Sequence, residues 1–548
     1  MEAKTAGYDY VIVGSGSAGS VVASRLSEDP SCRVLVIEAG GPDRGFWLRL
    51  PVGYFKSIYS PRVTRQFKSD PGEGVAGRCI DAPRGRVVGG SSSINGLIFI
   101  RGQHEDFNDW ASQGAEGWDY HGVLPHFRRL ESFDGPPSQY RGAEGPLSVS
   151  RLRNKSVVCD DWLAAAEADG LPRNQDFNGA STYGIGAYQL TLRGHWRESA
   201  ATAFLHPALS RPNLTLVTGA QATRILIESG RARGIEYLTD GEIRRVDVDA
   251  EVILCAGSVQ TPQLLQLSGI GAPEHLEAAG VRPLYELPGV GENLQDHLQM
   301  RTIVELKEPL SLNDQVRSPI GLAKMGLQWL FGKSGPLTVG AGQVGGATRT
   351  RYAEGDRPDL QLFVMPLSVD KPGTPLHRYS GFTTSFWQCH PKSRGWVRIR
   401  SADPLADPAI QPNYLSDPLD EKVMVEGMKI VRRIYNRPEF APRWGREVVP
   451  GAGQQTDAEI LDACRRMSST VYHLVGTCRM GTDPQAVVDP RLRVRGVEGL
   501  RIIDASIMPT IPSANTNAAA LMIGEKGASL VKEDRGHPRH QQSLDRPL

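Results

Sequence analysis

The chain has 548 residues, 40 % of them apolar, with 62 basic against 61 acidic side chains, a balance that argues against a nucleic-acid surface or a basic membrane-binding face, although a local patch can hide in the average. Its length predicts about three or four domain-sized units, and its seven scattered cysteines, odd in number and without a C-x-x-C pair, argue against disulfides and a zinc site. The first strand begins within ten residues of Met1, leaving no room for a signal peptide, and no apolar run reaches membrane-spanning length, so a cytoplasmic protein without a membrane span is expected.

Residues 9–40 read as strand, glycine turn, helix and strand. The apolar run Tyr10 to Val13 suits a buried parallel strand, and it breaks at Gly14-Ser15-Gly16-Ser17-Ala18-Gly19, a match to G-x-G-x-x-G. In such a turn Gly14 permits the tight bend, Gly16 lets backbone approach a pyrophosphate, and Gly19 lets the helix lie close on the strand. Ala18, Val21, Val22 and Leu26 share one helix face, and the first N–H groups with the positive dipole end suit a diphosphate. The second strand, Val34 to Ile37, delivers Glu38, whose carboxylate can accept from ribose hydroxyls and disfavours a 2′-phosphate. Both NAD and FAD fit this stretch.

Residues 41–82 mix proline, glycine and aromatics without period, an irregular excursion of a length that is uncommon unless functional. They lead into PRGRVVGGSSSINGLIFIRG, residues 83–102, where Gly89-Gly90, three serines and Asn95-Gly96 offer free N–H groups and small hydroxyls along a diphosphate and ring system. This segment resembles the first signature of the glucose-methanol-choline (GMC) flavoprotein oxidoreductases, and residues 9–40 resemble their FAD-binding N-terminus. The resemblance implies an α/β fold, α+β overall. In it a Rossmann-like FAD-binding domain (1–155, 196–305 and 461–531) alternates with a discontinuous substrate-binding domain on an antiparallel sheet (156–195 and 306–460). Some members bond the flavin to a histidine where this chain has Ile94, which cannot form that bond, so non-covalent FAD is expected.

Residues 213–250 (NLTLVTG, ATRILIE, GIEYL, IRRVDVD) alternate with the two-residue period of antiparallel strands, and the resemblance brings Ala222-Thr223 near the adenine. EVILCAGSVQTPQLLQLSGIG, residues 251–271, resembles the second signature: a strand, Val252 to Cys255, turns at Ala256-Gly257 into a short helix with Pro262 at a helix-start position and Gly269 at its end. In the loop 289–297, Asp296 and His297 form a tempting catalytic pair, but the resemblance makes them domain-joining. Residues 305–460 mix strand-like runs (Gln361 to Pro366, Phe382 to Cys389, Trp396 to Ile399) with an amphipathic helix from Pro418 to Tyr435 that Asp417 caps. By resemblance this sheet covers the reactive face of the flavin. His195, in RGHWRE, reads equally as a substrate-side group or part of a surface loop.

A histidine among apolar residues, such as His473, is by itself most often a satisfied core residue. The family pattern H-x-x-G-T-x-R-M-G reverses that, because His473, Gly476, Thr477, Arg479, Met480 and Gly481 fill it and make His473 the active-site histidine. In residues 500–518 the family's N-x-N pattern assigns Asn515 to the catalytic pair and Asn517 to the cofactor, ahead of a helix from about Ala519. The resemblance places FAD on Gly14, Ser15, Gly16, Ala18, Gly19, Glu38 and Ala39, and on Arg86, Val88, Gly89, Gly90, Ser91, Asn95, Gly96, Leu97 and Ile98. It adds Ala222, Ala256, Gly257, Asp504, Ala505, Thr516, Asn517 and Ala518.

Oxidising an alcohol requires a base for the hydroxyl proton. A neutral imidazole, with a pKa of about 6.5, suits that task, while an asparagine amide positions the substrate oxygen. Cys478 beside this base reads as packing, not as a nucleophile. The expected activity is FAD-dependent oxidation of a primary alcohol to an aldehyde, with onward oxidation to the acid left open, and with oxygen, a quinone or another carrier as electron acceptor. The alternatives are a hydroxynitrile lyase-like enzyme with non-redox flavin and a cofactor-binding protein with a degraded site. Monomer and homodimer both remain open. No metal is expected, and the polar segment from Lys532, with His537 and His540, reads as a disordered tail.

Overall fold

The computed structural model describes residues 7–340 and 342–536. Strand β1 (Tyr8–Val13), helix α1 (Ser17–Leu26) and strand β2 (Val34–Glu38) form a β–α–β unit in which Tyr10 to Val13 pair parallel with Val34 to Ile37. Strand β3 (Leu214–Thr218) adds to the far side of β2, also parallel. Strands β4 (Gln221–Glu228), β5 (Arg231–Thr239) and β6 (Glu242–Leu254) make an antiparallel meander, and the last half of β6 then runs parallel to β1. Antiparallel pairing therefore holds for β4 to β6 and not for β3. Alternating burial reports that one face of a strand is wet and carries no information on direction; β3 is the edge of the order β3-β2-β1-β6-β5-β4.

Helix α2 (Gly257–Leu267) follows β6 directly, and Pro262 is its sixth residue, not a starting one. Proline cannot donate to the Ser258 carbonyl four residues back. The Thr477 hydroxyl donates to that carbonyl at 2.7 Å instead, so a residue far along the chain lets the helix run through its proline.

The second sheet begins with β7 (Leu298–Leu306). After helix α3 (Pro319–Leu330) come β8 (Val344–Thr348), β9 (Leu360–Met365) and β10 (Gly381–Gln388); helix α4 (Pro418–Tyr435) and β11 (Trp444–Val449) follow. Its order is β8-β9-β10-β7-β11, antiparallel throughout. Asp417 caps α4 by accepting from Leu419 N, and the helix buries Val423, Met424, Met428, Val431 and Ile434 in the core of this sheet. The strand at Trp396–Arg398 stays outside it and pairs with Ala409–Gln411 as a separate ribbon.

Residues 41–82 are more regular than their composition suggested. They hold short helices at Phe46–Arg49 and Tyr54–Ser57, and the strand Thr64–Lys68 pairs with Asp81–Gly85 as a hairpin.

The chain closes with β12 (Leu500–Ile502), parallel to β6, and helix α5 (Asn517–Gly536), which packs on α1. Lys532 to Gly536 are helical and not part of a disordered tail. Lys532 pairs with Glu28 at 2.7 Å and Arg535 with Asp29 at 3.1 Å, so charge extends a helix that has little left to bury. His537 and His540 lie outside the described residues. Among the described residues no helix is long and apolar enough to cross a membrane, and no cluster of His, Cys, Asp or Glu is placed to hold a metal ion.

Candidate active site

A cavity runs from the end of β1 to the start of α5, and its floor is backbone. A Cβ on Gly19 would lie 2.0 Å from Gly14 O, and one on Gly90, at φ +54°, would lie 2.7 Å from Gly16 Cα. Only glycine lets these two turns close on each other. Helix α1 opens toward the cavity with no side-chain cap and no acid in its first turn, which leaves its N–H groups and positive dipole end for an anion. Glu38 accepts from Ser15 N at 3.0 Å, Ser15 Oγ at 2.7 Å and Gly40 N at 2.7 Å; burial raises its pKa and these bonds oppose the rise. Asp504 ties α2 to the C-terminal segment by accepting from Gly257 N at 2.9 Å and Thr261 Oγ1 at 2.6 Å. Ser17 Oγ donates to Asn517 Oδ1 at 2.7 Å, joining the starts of α1 and α5. A side-chain-free floor, an open helix N-terminus and a buried carboxylate at the tip of β2 fit the diphosphate and ribose of FAD.

The opposite wall is made of side chains. Ser469–Thr470 pairs antiparallel with Leu298–Gln299 at the head of β7, and this register sets Asp296-His297 against Tyr472-His473. Asp296 Oδ1 accepts from His473 N at 2.8 Å, and its Oδ2 accepts from the Tyr414 and Thr470 hydroxyls. Burial holds the His297 ring down to about 4. Burial first, then His297 and the Arg84 guanidinium, hold His473 well below 6.5. Both rings are thus neutral at pH 7, and their tautomers follow from their partners. His297 Nε2 lies 3.0 Å from the Cys389 carbonyl, which can only accept, so His297 carries its proton on Nε2 and presents Nδ1 as an acceptor. His473 Nδ1, 2.9 Å away, is then the donor between the rings. The lone pair of His473 is left on Nε2, 3.2 Å from Asn515 Nδ2, while Asn515 Oδ1 is buried without a partner. Asp296 and His297 are accordingly more than domain-joining residues: they hold the backbone and the ring of His473.

Nineteen of the residues that the resemblance assigns to FAD line this cavity together with His473 and Asn515; Ser15, Gly19, Val88, Gly89 and Ala518 do not. Ser15 is spent on Glu38, Gly19 packs against Gly14, Gly89 N donates to Ser15 O at 3.1 Å, and Val88 and Ala518 belong to the core. These five shape the cradle from behind. His195 does not line the cavity; its ring sits among aromatic side chains, 5.3 Å from Trp329. Cys478 is buried in the core with its thiol pushed up by burial, and it packs without reaching the cavity.

The roles of three residues were missed from sequence. Arg84 lines the cavity with Nη1 donating to Tyr472 O at 2.8 Å and with Nε and Nη2 unpartnered. Arg197 is fully buried, its pKa lowered by burial to about 9, and it braces the serine loop by donating to Asn95 Oδ1 and Asn95 O, each at 2.7 Å. His297 is the third. Arg84 had a signal in the PRG that precedes the glycine loop, whereas Arg197 and His297 act on partners 102 and 176 residues away.

Comparison with known proteins agrees with this geometry. Family models described as GMC oxidoreductase match residues 8–299 and 391–524. The chain is 41 % identical to the alcohol dehydrogenase (acceptor) of Pseudomonas putida over 96 % of this chain and 95 % of the relative. It is 40 % identical to the mitochondrial choline dehydrogenase of Homo sapiens over 96 % of this chain and 90 % of that one. Among solved structures, pyridoxine 4-oxidase from Mesorbium loti superposes with a TM-score of 0.87 at 31 % identity, over 97 % of this chain and 100 % of that one. The chain belongs to the GMC oxidoreductase family, the FAD-dependent oxidoreductases of CH–OH donors.

Proposed function

We propose that the protein oxidises a neutral primary alcohol with an apolar tail to the aldehyde, with His473 as general base and Asn515 as the group that holds the substrate oxygen. One observation carries this reading: the Cys389 carbonyl, His297 and His473 form a chain whose tautomers leave a lone pair on His473 Nε2, beside the unpartnered Oδ1 of Asn515. The hydroxyl proton passes to His473 Nε2, and the Asn515 amide orients the oxygen that loses it. The floor residues described above would hold FAD, which when bound supplies the acceptor for the hydride of the carbinol carbon. Ile94 lines the cavity and offers no nucleophile, which supports a dissociable cofactor.

The cavity wall speaks to the substrate. Tyr54, Phe55, Ile58, Phe363, Met365 and Val369 make it apolar, and Arg84 and Arg301 bring positive charge. The carboxylates that line the cavity are Glu38 and Asp504, both engaged on the floor. A quaternary ammonium like that of choline would meet cations and no counter-charge, so the wall favours an uncharged alcohol. The unpaired state of all seven cysteines supports placement in a reducing compartment, the cytoplasm. The relatives named above are dehydrogenases and an oxidase, and none lends support to the lyase alternative.

The test is anaerobic reduction of the purified holoenzyme. A medium-chain primary alcohol bleaches the flavin and choline does so far more slowly; equal or faster bleaching by choline overturns the substrate assignment. Admitting oxygen then separates an oxidase, which recolours at once, from a dehydrogenase that needs another acceptor. Acid precipitation releases free yellow FAD if the cofactor is dissociable.

A further inference from the structure

Helix α3 carries Ile320, Leu322, Ala323, Met325, Leu327, Trp329 and Leu330, so it is apolar around most of its circumference, yet Met325 is its only buried side chain. Ile320 is 81 % exposed, Leu327 58 %, and Phe331, just past its end, 76 %. A helix apolar on all sides is stable in an apolar surrounding, and water does not supply one.

The exposed face extends beyond the helix. Phe46 packs edge-to-face 5.9 Å from Trp329 and 6.3 Å from Trp196, and the two tryptophans lie 4.9 Å apart. Trp47, beside Phe46, is 50 % exposed. The face thus joins α3, the short helix Phe46–Arg49 and the turn that holds His195.

Charge identifies the occupant. Segments 44–56 and 312–333 carry Arg44, Arg49, Lys56, Arg317, Lys324 and Lys333 against one carboxylate, Asp314, which is bonded to Ser311 in a helix cap. All six cations are exposed, and none makes an ion pair among the described residues. The even charge balance of the whole chain conceals this local excess.

We propose that this face docks on an anionic lipid surface, with α3 lying in the headgroup plane, its aliphatic side chains in the acyl boundary and the lysines and arginines against lipid phosphates. At twelve residues α3 is about 18 Å long, enough to lie in the interface and too short to cross about 30 Å of hydrocarbon. A second copy of the chain is the competing occupant, but a two-fold contact would set these cations against their own copies without counter-charge. Tyr54 and Phe55, in the segment that follows Phe46–Arg49, line the cavity, so the docking face adjoins the substrate side of the site.

The experiment is co-sedimentation of the FAD-loaded enzyme with vesicles of phosphatidylcholine alone and of phosphatidylcholine with about one third phosphatidylglycerol. Wild type binds the anionic vesicles, more weakly as salt is raised, and binds the neutral ones poorly. The double variant L327E/F331E loses binding to both while keeping its flavin content and its turnover of a soluble alcohol. K324Q/K333Q weakens binding to the anionic vesicles about thirtyfold, from about fivefold per charge. The proposal is overturned if wild type does not sediment with the anionic vesicles, or if L327E/F331E sediments as wild type does. It is also overturned if ultracentrifugation without lipid finds a dimer that L327E/F331E converts to monomer, which assigns the face to a second copy.

Discussion

The floor and the far wall of the cavity are built from different materials. The floor is backbone: glycine turns, the open end of α1 and the N–H groups that reach Glu38. The wall is side chain: a carboxylate, two imidazoles and an amide brought together from segments near residues 296, 473 and 515. A backbone floor fails all at once when an atom is added, because nothing in it can rotate away. A side-chain wall fails in steps, because each member can be removed while the others keep their places.

The largest expected effect tests the floor. Gly19→Ala adds a Cβ that would sit 2.0 Å from Gly14 O, so the variant purifies without flavin, read from the ratio of absorbance at the flavin and protein bands, and is inactive for that reason. A fully loaded Gly19→Ala enzyme would dissolve the distinction between floor and wall. His473→Ala tests the wall: flavin content stays at the wild-type level, and its reduction by alcohol slows by about 10²- to 10⁴-fold in stopped flow.

His297→Phe removes the acceptor for His473 Nδ1–H and frees the tautomer, for an expected loss of about 10- to 100-fold. His297→Asn, whose amide oxygen can accept at that position, recovers part of the loss, and a merely space-filling role would predict no such recovery.

The smallest effect is set by pH. Both rings protonate below the ordinary 6.5, so the reduction rate stays level from about pH 8 to about pH 6. These two rings bind more protons in the unfolded chain than in the folded one below about pH 6.5, so their contribution to stability falls as pH drops from there toward 4. His297 alone contributes about 1.4 kcal/mol of that loss per pH unit, visible as a falling melting temperature.

The two regions also differ in how well the sequence announces them. The floor is local: Gly14 to Glu38 spans one strand–turn–helix–strand, and its periodicity and glycine spacing place it directly. Helix α4 is legible for the same reason, with its cap at Asp417, Pro418 in first place and an apolar stripe. What the motif does not separate is touching from supporting, since Ser15 and Gly89 sit inside the signatures and face away from the cavity. The wall is non-local. His297 reads as a joint until the pairing of Leu298 with Thr470 brings it to His473, and Pro262 reads as a helix start until Thr477 donates to the carbonyl it leaves bare. Strand direction at β3 and the exposure of α3 also depend on neighbours that no window of residues contains.

The bond between Ser17 and Asn517 and the packing of α1 on α5 have a consequence in time. The glycine turn leaves the ribosome about 500 residues ahead of its partner helix. At about 5 to 20 residues per second, that interval is roughly 25 to 100 seconds. Through it the nascent β–α–β unit lacks the helix that covers α1. A cell that stalls translation short of α5 would therefore accumulate chains whose glycine turn still waits for the helix that covers it.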